Sequence, residues 1–153
     1  MVWFFMAWSL LANVQAQERL ISPGQGTPER KAVLDALRPA VEKELKGEVI
    51  FVVDTIRAYR NWAFVMANPQ RKDGKKFDIV QIFGRDRSQH MDGLKVTALL
   101  QRRGSQWVLI EHHVGATDVW YADYCDNKAH KVPKELLGVC WGNSAKPRHR
   151  GGA

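Results

Sequence analysis

At Gly47 the spacing of the apolar side chains changes period, and that change narrows the folds open to this chain. Before it, Val33, Leu34, Leu37, Val41 and Leu45 recur every three or four residues, which lines one face of a helix. Thr27, Pro28 and Glu29 open that helix. Thr can accept the free N–H groups of the first turn, Pro has no N–H to leave unmade, and a carboxylate suits the positive end. A helix over 28–46 is expected, kinked between 35 and 39 by Pro39 and ended by Gly47. After Gly47 the chain is rich in β-branched and aromatic residues. Strands are expected over 48–60, 62–67, 94–103 and 106–114, with turns at Arg60-Asn61 and Gly104-Ser105. The order predicts an α+β domain in which the kinked N-terminal helix packs on one face of a four-stranded antiparallel sheet. An excursion over 68–93, with a short extra strand in FDIVQIF, separates the two hairpins, and an irregular C-terminal segment with a short helix at 133–137 follows.

Ahead of the helix, MVWFFMAWSLLANVQA has an apolar core of roughly 11 residues, short of the ~20 that a spanning helix needs. With Val14, Gln15 and Ala16 it reads as a signal peptide over 1–16, removed after Ala16, and places the protein in the periplasm or medium with no membrane anchor in the mature chain. No Lys or Arg precedes the apolar run, a departure from the usual signal. Residues 17–143 then form a single domain and 144–153 a disordered basic tail.

The net charge of +7 is unevenly spread. Residues 69–103 carry nine basic side chains against four aspartates, whereas 104–143 carry five carboxylates against three lysines. Arg71, Lys72, Lys75 and Lys76 in the excursion, with Arg102 and Arg103 at the last hairpin, are the expected ligand-binding set. An exported basic surface meets anionic envelope polymers or acidic protein faces rather than nucleic acid.

Cys125 and Cys140 are an even pair in a chain read as exported, and a disulfide is expected. His112 and His113 invite a metal or acid/base reading. However, neighbouring strand residues point to opposite faces, so the two cannot reach one ion together. Alternation groups His112 with Val108, Ile110 and Val114, and His113 with Trp107, Leu109 and Glu111. His112 is then a core or rim histidine, His113 a solvated partner of Glu111, and no metal or other cofactor is expected. Asp54 interrupts the face made by Ile50, Val52 and Ile56, so it is either paired or lines a cavity. Asp118, after Gly115, serves a turn or stands at the mouth of the sheet. Trp62 and Trp107 belong to the core, Trp120 and Trp141 pack around the disulfide, and Trp3 and Trp8 leave with the signal peptide.

The element order over 27–115 resembles the cystatin-like or nuclear-transport-factor-like roll, in which a bent sheet wraps a long N-terminal helix. The runs PERKAVLDALRPAVEKEL, WAFVMANPQRKDG and ALLQRRGSQWVLIEHHVGATDVWYADY resemble a group of small exported bacterial proteins of unassigned activity, and that resemblance implies no catalytic residue. Three functions follow from these readings. The first is a non-enzymatic exported binding protein using the basic loop region. The second is a small pocket enzyme of the ketosteroid-isomerase kind, with Asp54 and His112 as its chemistry. The third is a structural envelope component.

Overall fold

The computed structural model describes residues 17–126 and 129–140. The expected signal peptide, the basic tail and Trp141 lie outside them. The architecture is α+β, built from an open sheet of five antiparallel strands in the order β1-β2-β3-β4-β5. The strands are β1 (Gln17–Ile21), β2 (Val49–Arg60), β3 (Trp62–Arg71), β4 (Val96–Arg103) and β5 (Gln106–Val114). The expected count of four is corrected by β1, which pairs with β2 from Gln17 opposite Arg60 to Ile21 opposite Ala58.

Helix α1 (Pro28–Leu45) starts as its sequence requires: the Thr27 side chain accepts from the Arg30 N–H, and Pro28 occupies the first turn. It ends at Leu45, one residue earlier than expected. Lys46 takes the left-handed position, φ 54°, and its N–H returns to the Glu42 carbonyl. The stripe Val33, Leu37, Val41 and Leu45 is buried and packs on Ile56, Ala58, Ala63, Val65, Val96 and Ala98 of the sheet. Small residues at strand centres let the helix approach the sheet closely.

The opposite face of the sheet is covered as well. After Val114 the chain forms a 3-10 helix (Trp120–Cys125) and a short α-helix (Lys134–Leu137). Their Trp120, Tyr121, Leu136 and Leu137 bury Trp62, Phe64 and Leu99. The irregular C-terminal segment is therefore a third layer. The Cys125–Cys140 disulfide, with its Cα atoms 5.3 Å apart, joins the two ends of that layer. The Arg57 guanidinium donates to the Leu136 carbonyl at 3.3 Å and sits so close to Gly138, φ 69°, that a side chain there would displace it from a backbone position already strained for any other residue.

The excursion between β3 and β4 holds no extra strand. FDIVQIF instead forms α2 (Ile79–Phe83), whose start is capped by Asp78 accepting from the Gln81 N–H, and α3 (Arg85–Ser88) follows. A strand there would have needed a sheet edge to pair with, whereas the aspartate cap is a purely local signal.

Candidate functional site

Antiparallel pairing gives the sheet two ends. The hairpin end gathers Arg60, Trp62, Arg102 and Gln106, and the loop end gathers Val49, Arg71, Val96 and Val114. Helix α1 runs from the first to the second, because Glu29 in its first turn pairs with Arg102 and Glu44 in its last pairs with Arg87 at 2.9 Å. The expected basic set is thereby split. Ten residues of β3 at about 3.3 Å each separate Arg102 from Arg71 by about 30 Å.

At the hairpin end, Arg102 is committed to structure. Its guanidinium pairs with Glu29 and lies over the Trp107 ring at 4.7 Å. Arg103 is exposed and donates to Gln101 Oε1 at 3.2 Å.

At the loop end, β3 outruns its neighbour. Pairing with β4 stops at Ala67 opposite Val96, so residues 68–71 have β2 on one side only. Pro69 fits here because no ladder partner on the β4 side asks for its missing N–H. The gap beside this overhang is a cavity of about 500 Å³, lined by Arg71, Lys75, Lys76, Phe77, Ile79 and Leu94 under the overhanging Pro69. Arg71 is pinned by a bidentate pair with Asp73 (2.9 and 2.7 Å) and lies 5.6 Å from the Phe77 ring centroid. Hydrogen bonds from Arg71 and from the Lys75 N–H hold the Asp73 carboxyl far below the usual range. Lys72 makes a loose surface pair with Glu48 at 3.8 Å. Among the described residues neither the Lys75 nor the Lys76 ammonium makes a close ion pair, and Lys75 acts on the Asp73 carboxylate only at longer range.

A second, more polar cavity of about 320 Å³ at the same end is lined by both His112 and His113, together with His90. His112 Nε2 lies 3.2 Å from Glu44 Oε2, in ion-pair range but out of line for a hydrogen bond. Arg87 binds the same carboxylate, and exposed Asp118 stands on the rim.

Asp54 and His112 are not brought together. Asp54 is the extra residue of a bulge in β2, since Val53 faces Ala67 and Thr55 faces Met66. The bulge inverts the alternation after it. Ile56 turns to the helix, while Ile50 and Val52 remain 45% and 46% exposed, which corrects the face on which Asp54 was placed. Asp54 accepts from Asn68 Nδ2 at 2.8 Å beside Lys95 at 3.9 Å, away from the helix, whereas His112 packs toward it. A second bulge, at Ile110, corrects the grouping in β5: Trp107, Leu109 and Val114 join the helix-side core, and Ile110 joins the other.

His113 and Glu111 share the face away from the helix, as alternation implies, and both side chains keep a solvent-exposed part. His113 Nε2 is 2.9 Å from Glu111 Oε1 and its ring stacks on Trp120 at 4.7 Å. Tyr124 donates to Glu111 Oε2 at 2.5 Å, and Trp120 Nε1 donates to Thr97 Oγ1 at 2.7 Å. Tyr124 and Thr97 were not marked by sequence, and Trp120 was read only as packing around the disulfide, because their partners lie 13 and 23 residues away and only the folded C-terminal layer joins them. Comparison with family models, with curated proteins and with solved structures finds no match for this chain. Among the described residues there is no group of three or more His, Cys, Asp or Glu that could hold a metal ion, and no helix is long and apolar enough to cross a membrane.

Proposed function

We propose that the protein is an exported, non-enzymatic binding protein that engages an anionic envelope polymer or an acidic protein surface through the loop end of its sheet. The observation that carries the reading is the groove beside the β3 overhang, where Lys75 and Lys76 stand beside a cavity with no close carboxylate partner among the described residues. Unpaired ammoniums on a loop held by a rigid sheet can bind an incoming anion without first breaking an internal ion pair. Arg71 serves the site by shaping its wall, since its own charge is met by Asp73. Arg102 and Arg103, included in the basic set on sequence grounds, lie too far away to share one small ligand.

Export accounts for the disulfide, because such bonds persist in oxidising compartments. The scaffold is read, by element order, as a variant of the cystatin-like roll with a covered outer face. The placement of Asp54 and His112 on opposite faces of the sheet favours this reading over a ketosteroid-isomerase-like proton transfer between them. The test is an amide chemical-shift map of the uniformly labelled protein titrated with polygalacturonate. Shifts confined to residues 69–79 and 94 are expected, and shifts centred on 102–106 would refute this placement.

A further inference from the structure

The groove's own composition narrows its ligand, given the reading that the loop end carries the binding function. Only two of its cations, Lys75 and Lys76, lack a close carboxylate partner among the described residues, which is few for tracking an extended polyanion. The other walls are apolar. Phe77, Ile79 and Leu94 line the cavity and each is only half-buried, whereas residues of the adjoining core such as Leu45 and Val96 are closed off from solvent. Apolar walls left partly wet beside two unpaired ammoniums favour a ligand that covers the former and neutralises the latter in one molecule. A volume of about 500 Å³ falls within the span of small-ligand clefts, about 300–1,000 Å³.

We infer that the groove is a site for a single-chain anionic amphiphile, with its acidic head between the Lys75 and Lys76 ammoniums and its hydrocarbon chain along Phe77, Ile79 and Leu94. The head exchanges water for charge-assisted hydrogen bonds from the two lysines. The chain removes three apolar side chains from water. Arg71 stays with Asp73 and Phe77 throughout, so the wall needs no rearrangement to receive the ligand.

The experiment is calorimetric titration of the intact, disulfide-bonded protein with hexanoate, octanoate and decanoate below their micelle concentrations, with decyl glucoside and polygalacturonate as charge-free and chain-free probes. One decanoate per protein is expected, with affinity rising about twofold per added methylene, short of the roughly fourfold that complete burial gives. Decyl glucoside should bind about tenfold more weakly than decanoate. Lys75→Ser with Lys76→Ser, both exposed positions, should weaken decanoate about tenfold and leave the melting temperature unchanged. Ile79→Ser should weaken decanoate and spare polygalacturonate. Affinity independent of chain length, with polygalacturonate still bound and lost in the double lysine variant, would overturn the amphiphile inference and leave the charge reading standing. Decanoate and polygalacturonate both indifferent to the double lysine variant would remove the two together.

Discussion

Glu111 shows how one residue ties the C-terminal layer to the sheet. Burial works against its charge, but hydrogen bonds from Tyr124 and His113 and the nearby charges of His113 and His130 hold its carboxyl below the usual range. Tyr124 is pushed the other way, up to about 12, by burial and by its bond to the Glu111 carboxylate. The signs of the two effects on stability differ. The depressed Glu111 contributes stability above the ordinary glutamate value of about 4.3, and this is lost as pH falls through the lower folded value. The raised Tyr124 contributes below the ordinary tyrosine value of about 10, and this is lost as pH rises toward about 12. Tyr124→Phe should therefore return the Glu111 carboxyl toward its ordinary range, seen in a carbon-detected titration, and lower stability by about 1 kcal/mol. An unchanged Glu111 titration would show that the bond does not hold in solution. Residue-level reading of the sequence found the Glu111–His113 pair because alternation by two survives locally. It misplaced Asp54 and the neighbours of His112 because bulges at Asp54 and Ile110 shift the faces, and a bulge is a property of two strands together that one strand's sequence does not carry.

At the scale of elements, helix α1 and the hairpin of β4 and β5 were legible because their signals are local: a cap, a periodic stripe, a glycine turn. Strand β1 was not, since QERLI has no alternation long enough to announce a strand and forms one only by pairing with β2. The role of the C-terminal segment was hidden for a similar reason. Its aromatic and leucine residues have no regular period, and their burial depends on the opposite face of the sheet being free to receive them. The disulfide should matter mainly to this layer. Replacing Cys125 and Cys140 with serine is expected to cost about 3 kcal/mol for a closed loop of this length. Hydrogen exchange should speed up over 119–140 and leave α1 and β3 protected. Equal loss of protection in α1 would mean that the C-terminal layer and the helix layer unfold as one unit.

For the whole molecule, the charge counted along the sequence as one basic region is divided by the fold. Arg102 is half-buried in an ion pair with Glu29 over the Trp107 ring, and the loop-end lysines stand about 30 Å away, several times the Debye length of about 10 Å at 0.1 M salt. Sequence composition located the surplus, but where each charge falls depends on strand direction and on which carboxylate the helix presents. On the proposed reading the loop end binds and the hairpin end does not. It is tested most directly by the affinity for polygalacturonate, at 50 and 200 mM salt, of the unaltered protein, the Lys75→Ser/Lys76→Ser variant and Arg103→Ser. A salt-sensitive affinity is expected that falls about tenfold at low salt in the lysine variant, with a flatter salt dependence, and stays unchanged in Arg103→Ser. An unchanged lysine variant, or an equal loss in Arg103→Ser, would contradict it.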